Sequence, residues 1–519
     1  MDKFTNTPKE VDNYVEILSK QLYFAVLKDK QIVKLKNNAT TLFFCIDDEL
    51  LYENYYNDFG PLNISCLYKY SYKLKKYLQF ANGTKSVVHY TCDNPERKTN
   101  AACLMGCFCV MYLNFHPKEI WCILQEMGPY KHYLDASQQI CGFNLKVPDC
   151  IQAMQKSVTY NFINFDDFNV VEYDLYNKLQ YGDMNWLLPR KFLAFIGPAD
   201  NNTAHPPEFY VKYFLKNDVK TIIRLNNPLY NPQVFTQLGI QHFDLIFPDG
   251  STPPKEILLK FLTIAEMAPA AIGVHCKAGL GRTGSLIGAY IIKHYMLTAR
   301  EAIAWMRLCR PGSVIGQQQM WLEKLETWLW KMGSQYRVRQ YGADKIPKHK
   351  YGVYSKEWPT ERERIICDAR RKIQVTFTNS QMEKLSMKKQ VSSSIDSFTR
   401  SIQCSKKAIP PEKSFKSLVK FVTEARSQKA THLGQETKKL GNTFPQNSAG
   451  GYKSDAHGSN HHRKPEKSQT SNLDKQHKQM TQGDKLNRIK ATWENKTYDD
   501  MYRPHSENQK YRGFMGTVS

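Results

Sequence analysis

Val274-His275-Cys276-Lys277-Ala278-Gly279-Leu280-Gly281-Arg282-Thr283-Gly284 is the stretch whose reading decides the fold. The apolar run 270–274 ahead of it predicts a buried strand, and Ser285 to Tyr295 behind it predicts a helix. A strand, a glycine-rich loop and a helix form an anion-binding arrangement, because loop N–H groups and the positive end of the helix converge on the curl between them. Cys276 stands at the mouth of that curl, where the dipoles that hold a phosphate also favour a thiolate, so it is expected to be a nucleophile. Arg282, six positions on, can fork onto two phosphoryl oxygens, which a lysine could not do. Gly279, Gly281 and Gly284 admit close approach of the anion, and Thr283 can place a hydroxyl beside the sulfur. A bare Cys-x5-Arg means little, but the full string between a strand and a helix makes a buried structural cysteine on a turn the poorer reading.

The rest of the chain sets bounds on that loop. With 519 residues, 41% of them hydrophobic and 12% aromatic, there is room for two or three domains and a sizeable core. A mean hydropathy of −0.54 and 24 prolines indicate that part of the chain is not globular. The formal charge of +23 points to acidic partners: phosphorylated surfaces, nucleic acid or anionic lipid. Thirteen cysteines without framework spacing, and an opening Met1-Asp2-Lys3 that does not read as a signal peptide, predict a reducing compartment. The longest apolar run, Ala101 to Leu113, is too short to span a bilayer, and no Cys/His spacing reads as a zinc site.

Taken in order, residues 1–16 are expected to be a flexible N-terminus, followed by an α/β domain over 17–160. Strands are predicted at Gln21–Leu27, Ile32–Leu35 and Thr41–Ile46, and a helix at Cys66–Phe80. An internal echo follows. Val87-Val88-His89-Tyr90-Thr91 enters a turn with Pro95 and Arg97, and a helix is predicted from Thr99. Gly106 and Gly288, and likewise Glu119 and Glu301, are separated by 182 positions, whereas His89 and His275 are separated by 186. This reads as two copies of one fold with a longer first loop. Tyr90 then stands where the second copy has Cys276, and a tyrosine cannot supply a low-pKa thiolate. The alternative is two unrelated strand-turn-helix units.

A helix predicted at Cys150–Asn161 leads into a linker helix region expected at 161–187, where Asn164 to Trp186 is dense in aromatic and acidic residues. The catalytic domain is placed at 188–342, with strands at Phe192–Ile196, Thr221–Leu225 and His242–Phe247 and tryptophans assigned to the core. Residues 343–519 form a basic tail, expected to be mostly disordered because it cannot bury enough apolar surface. No aromatic-basic interleaving there suggests a nucleic-acid groove, so nucleic acid is not the expected partner.

Hydrolysis of a phosphate monoester also needs an acid for the leaving oxygen. Asp249 lies 27 residues before Cys276 on a loop stiffened by Pro248 and loosened by Gly250. Asp244 is the rival, but it falls within the predicted strand and is better suited to a structural bond.

The signature loop 275–284 resembles that of the cysteine-dependent dual-specificity protein phosphatases. Together with Phe247-Pro248-Asp249-Gly250-Ser251-Thr252-Pro253 upstream and Arg310-Pro311-Gly312-Ser313-Val314-Ile315-Gly316-Gln317-Gln318 downstream, it is most similar to the cell-division-cycle-fourteen phosphatases, over about two-thirds of the chain. The resemblance implies two tandem phosphatase-like α/β domains, the first inactive, each a mixed sheet flanked by helices. It implies attack by Cys276 with Asp249 as acid and then as base, Gln318 positioning water, Arg282 and the loop 277–282 (Lys277, Ala278, Gly279, Leu280, Gly281) holding the phosphoryl group, His275 and Thr283 in support, and no metal or cofactor. It implies an acidic groove for a basic residue after the phosphosite, with Asp183 in Gly182-Asp183-Met184-Asn185-Trp186 as the matching position. Gln180, where an acid is usual, Pro248 and Gln317 depart from the family pattern, and a solvated acidic face is the plainer reading of this segment.

Implied substrates are phosphoserine or phosphothreonine followed by proline, of the kind made by cyclin-dependent kinases, and phosphotyrosine. Implied places are the nucleus, cytoplasm and centrosome or spindle, with the tail serving localisation, phosphorylation or docking to acidic or microtubule components. A similar loop with lysines at both the 277 and 280 positions occurs in inositol-lipid phosphatases. Here Lys277 is present and Leu280 replaces the second, which favours phosphoprotein. Two readings stay open beside this one: a phosphoinositide or RNA 5′-phosphatase using the same loop, and a phosphoprotein-binding scaffold with incidental catalysis.

Overall fold

The computed structural model describes residues 11–139, 141–201, 205–359 and 480–502. Two sheets of matching plan occupy the body. The first contains β1 (Tyr14–Leu18), β2 (Leu22–Leu27), β3 (Thr41–Phe44) and β4 (Ser86–Cys92), in the order β1-β2-β4-β3. The second contains β5 (Met184–Leu188), β6 (Phe192–Phe195), β7 (Val219–Arg224), β8 (Gln241–Asp244) and β9 (Ala271–His275), in the order β5-β6-β9-β7-β8.

In chain order the helices are α1 (Asp29–Ile32), α2 (Ile64–Ala81), α3 (Pro95–Tyr112), α4 (Pro117–Leu124), α5 (Val147–Thr159), α6 (Val170–Tyr176), α7 (Pro207–Lys216), α8 (Gln233–Thr236), α9 (Lys255–Met267), α10 (Gly281–Tyr295), α11 (Ala299–Cys309), α12 (Gln317–Tyr341) and α13 (Gln482–Tyr502).

The echo in the sequence is a repeat of architecture. Each half opens with an antiparallel pair, β1 with β2 and β5 with β6, whose register slips at the same place, between Glu16 and Leu18 and between Trp186 and Leu188. β4 and β9 are each flanked on both sides by parallel strands, and His89 and His275 occupy corresponding rows, opposite Phe24 and Phe195. Strands covered on both faces need apolar side chains throughout, which is why Ala-Ile-Gly-Val-His of β9 is buried at every position. Glu119 and Glu301 both close capping boxes, accepting the N–H of His116 (3.0 Å) and Thr298 (2.6 Å) at the starts of α4 and α11. Among the described residues β8 has no counterpart in the first sheet, and this fifth strand is the one that leads to Asp249. Among the described residues the first copy therefore has neither a cysteine directly after its histidine nor a strand that would deliver an acid.

One apolar core runs through both halves, with α5 of the first packed against α11 of the second. Polar contacts reinforce the junction. Tyr173 donates to the Cys309 carbonyl (2.9 Å), Gln319 to Asp135 (3.1 Å), and Lys156 pairs with Glu301 (2.6 Å).

Several expectations need correction. Residues 14–16, placed in a flexible start, belong to β1, because Val15 and Ile17 are buried. Ile32–Leu35 is not a strand: Asp29–Ile32 is a helical turn, with N–H groups of Gln31 and Ile32 bonded to the Lys28 carbonyl. The helix expected from Thr99 starts at Pro95, with Asn94 accepting from the N–H groups of Glu96 and Arg97 and proline in the first turn. The second sheet begins inside the expected linker 161–187, since β5 starts at Met184. The stretch 343–359, assigned to the tail, packs back on the body: Val353 and Tyr354 are fully buried, and the Tyr354 hydroxyl accepts the Trp186 N–H (3.1 Å). Residues 480–502 of the same tail include α13. The remainder of the tail for which disorder is expected, 360–479 and 503–519, lies outside the described residues, as do residues 1–10 of the N-terminus.

Candidate active site

β9 delivers His275 in mid-sheet, and the chain turns through Cys276–Leu280 into α10, every residue of which is buried. Gly279 sits at φ +66°, and a Cβ there would lie 2.1 Å from the Phe195 carbonyl oxygen, so the turn admits only glycine. Arg310 fixes the loop from α11's end, donating to the carbonyls of Gly279 (2.8 Å) and Ala278 (3.0 Å). Cys276 is 3% exposed.

Arg282 joins the loop to the acid. Its Nη1 donates to the Phe247 carbonyl (3.0 Å), and its Nη2 lies 3.1 Å from Asp249 Oδ1. The Arg282 Nε and the Thr283 hydroxyl are buried without a hydrogen-bond partner among the described residues. Two such donors in one loop beside a cysteine are what an oxyanion would satisfy, since buried donors are seldom left unpaired. Asp249 thus faces the loop across Arg282. Asp244 is turned elsewhere, clamped by Arg224 through two bonds of 2.7 and 2.9 Å. Burial would raise its carboxyl, but the Arg224 guanidinium holds it below the usual carboxylate range.

His275 is wholly buried, with Nε2 2.9 Å from the Tyr230 hydroxyl and Nδ1 3.1 Å from the Cys276 carbonyl oxygen. Burial lowers its pKa to about 3, against the raising effect of the Cys276 carbonyl, so the ring is neutral and positions the loop. Gln318 is also fully buried. Its amide donates to the Ser251 carbonyl in the acid loop (3.0 Å) and its oxygen accepts from Ile315 N–H (3.1 Å). It therefore ties the Asp249 loop to the segment before α12.

The outer face of the loop is shared with other parts of the chain. Lys277 ion-pairs with Asp484 of α13, while Ala278 and Leu280 join Tyr55, Ala136, Ile315 and Leu486 in an apolar cluster. Asp183 is buried at φ +46° and forked by Arg310, with Oδ1 at 2.7 Å from Nη1 and Oδ2 at 2.9 Å from Nη2. Lys490 bonds the same carboxylate. Burial would raise this carboxyl, but the two cations hold it below its ordinary value. Among the described residues, no cluster of three or more His, Cys, Asp or Glu side chains is placed to hold a metal.

Cys276, Arg282, Thr283, Asp249, His275 and Gln318 are thus assembled together, and Asp183 reaches the loop through Arg310. Three participants went unassigned in the sequence. Arg310 was seen only as the start of a family-like stretch, although an arginine before Pro-Gly in an apolar context needs a buried acceptor. Tyr55, in a tyrosine-rich loop, carries no distinguishing signal. The segment 481–493 had one, since Leu486, Ile489 and Trp493 recur at helical spacing within a polar tail.

Comparison with known proteins places this geometry. A family model for the N-terminal half of dual specificity protein phosphatases matches residues 16–157, and one for the dual specificity phosphatase catalytic domain matches 216–328. The human dual specificity protein phosphatase CDC14C is 44% identical over 341 residues, which are 64% of this chain and 75% of that protein. The chain belongs to the CDC14 family of dual-specificity phosphatases. Within it, the zebrafish (Danio rerio) dual specificity protein phosphatase CDC14AB is 45% identical over 344 residues, 64% of this chain and 56% of the relative. The human CDC14A is 44% identical over 62% of this chain and 55% of its own length. The chain therefore matches little more than half the length of these two CDC14 relatives. The first matched region takes in most of the first half, and the second runs from β7 into α12, so that β5 and β6 lie ahead of it and α13 lies beyond both.

Proposed function

We propose that this chain is a dual-specificity protein phosphatase acting in the cell cycle, hydrolysing phosphoserine or phosphothreonine followed by proline, and phosphotyrosine. The observation that carries this reading is Arg282 spanning from the cysteine loop to Asp249, 3.1 Å away, while its own Nε remains unpartnered. A phosphoryl group seated there would meet nucleophile, charge-bearing donor and acid at once.

In the first step Cys276 Sγ bonds to phosphorus as the P–O ester bond breaks, and Asp249 gives its proton to the leaving oxygen. In the second, a water oxygen bonds to phosphorus, its proton passes to Asp249, and the P–S bond breaks to release inorganic phosphate and the thiolate. Gln318, bonded to the acid loop, positions that water. His275 and Thr283 support the thiolate, and the Arg282 guanidinium and loop amides hold the phosphoryl charge throughout. Leu280, buried in an apolar cluster, removes one cation that a polyphosphorylated lipid headgroup would want, which supports protein over phosphoinositide or RNA as substrate. Retention of Asp249 against Arg282 supports an enzyme over a scaffold, because a binder has no use for the acid. The substrates follow proline-directed kinases, and the places of action are the nucleus, cytoplasm and spindle.

The test is turnover of a Ser(P)-Pro peptide with a downstream lysine, in EDTA, by the wild type and by Cys276→Ser. Turnover in the wild type that the substitution abolishes is expected. Undiminished turnover by Cys276→Ser would sink the mechanism, and preference for an inositol lipid or a 5′-phosphorylated RNA would sink the substrate assignment.

A further inference from the structure

The tail helix α13 does not dock on a neutral face of the body; it lies on the catalytic loop and the groove beside it. Gly483 N–H donates to Asp249 Oδ2 (2.9 Å), occupying the oxygen that Arg282 leaves free. A Cβ on Gly483 would come within 2.6 Å of the Lys277 Cβ and 3.2 Å of Asp249 Oδ2, so the start of the helix is pressed onto both loops. Asp484 pairs with Lys277, Asn487 donates to the Lys277 carbonyl (3.4 Å), and Lys485 donates to Gln138 of the first half (3.3 Å). About one and three turns further on, Leu486 is 2% exposed among Tyr55, Ala278, Leu280 and Ile315, and Trp493 meets Tyr55 edge-to-face at 4.7 Å. Lys490 is buried against the Asp183 carboxylate.

We propose that residues 481–493 are an internal inhibitor of the phosphatase, which excludes substrate by occupying its groove and is displaced when the enzyme acts. The inference rests on the phosphatase reading for its consequence, and on geometry for the cover itself. Each contact replaces one a phosphopeptide would make. An acidic side chain, Asp484, takes the loop lysine; an apolar side chain takes the wall formed by Ala278 and Leu280; and a lysine takes the buried acid. The acid Asp249 is held by a backbone N–H of the helix rather than by a leaving oxygen. The attachment is of a kind that can be released. It combines one buried leucine, two ion pairs and a few hydrogen bonds, and carrying Lys490 out of water opposes it: burial and the neighbouring Arg310 lower that ammonium to about 8. An enzyme open only a fraction of the time binds its substrate more weakly by that fraction.

The test compares the full chain with Leu486→Asp and Lys490→Glu, neither of which touches a reacting atom. Two readouts are taken: alkylation of Cys276 by iodoacetamide, followed at that cysteine by peptide mass spectrometry, and kcat/KM on the Ser(P)-Pro peptide. Both are expected to rise roughly tenfold in each variant, the latter chiefly through KM. A synthetic peptide of residues 480–495 added to Leu486→Asp should restore inhibition competitively. Equal alkylation in all three proteins overturns the cover. Faster alkylation with kcat/KM unchanged or lowered overturns the inhibitory role, and with no turnover in any protein it leaves the cover standing while the phosphatase reading fails.

Discussion

Asp244 and Asp249 are five residues apart, and what each faces separates them. Asp244 ends β8 in the grip of Arg224, which fixes it as an ionised structural partner. Asp249 stands past the strand, where Arg282 and the loop lie opposite. If Asp249 delivers the proton, its replacement must hurt most where the leaving group is poorest. Asp249→Asn is expected to lower kcat on phosphoserine peptide by about 10²–10⁴ and to cost far less on an aryl phosphate with an acidic phenol. Parallel kinetics on the two substrates check this, and an equal loss on both would assign Asp249 a binding role instead. That Cys276, Arg282 and Asp249 would be brought to one loop was legible in the sequence, because the chemistry dictates residue type and the loop dictates spacing. Arg310 was not, because its role depends on the Gly279 and Ala278 carbonyls and on Asp183, which no local pattern relates.

At the scale of elements, β4 and β9 show how one design serves two ends. Both carry a buried histidine beside a tyrosine hydroxyl, His89 with Tyr70 at 3.0 Å and His275 with Tyr230 at 2.9 Å, but a cysteine directly follows only His275, where Tyr90 follows His89. Burial takes both histidines to about 3. Because the folded value lies below the unfolded one of about 6.5, the unfolded chain takes up protons first. Their contribution is therefore complete above about pH 6.5 and is lost as pH falls towards 3. Each is expected to cost about 1.4 kcal/mol of stability per pH unit below 6.5. Urea titrations of the wild type and His89→Gln between pH 7 and 5 should show a shallower decline in the variant. Identical slopes would mean that His89 is not buried as the neutral ring. The strands themselves were legible wherever they were continuous apolar runs. The failures, at Ile32–Leu35 and at Met184, arose where a four-residue stretch with three apolar residues fits helix or strand equally, and where an aromatic and acidic segment turns into a strand by pairing with the next one, β6.

For the whole molecule, the two halves share one core, so the first copy is also a wall of the site: Tyr55 and Ala136 of the first half meet Ala278 and Leu280 of the second. The repeat could be read from residue offsets, since equal folds keep equal spacings. The docking of α13 could not, because its polar context outweighs three apolar residues until the groove they fill is in view. The catalytic roles of the groove and the acid, and the inhibitory effect of the tail helix, depend on covalent chemistry at Cys276. The measurement that tests it most directly is acid quenching of the enzyme during turnover of a phosphotyrosine peptide, followed by mass spectrometry for a phosphorylated residue. A phosphoryl group on Cys276 in the wild type, and on no residue of Cys276→Ser, is the expected result. Turnover without a phosphoenzyme, or with the phosphoryl group on another residue, would contradict it.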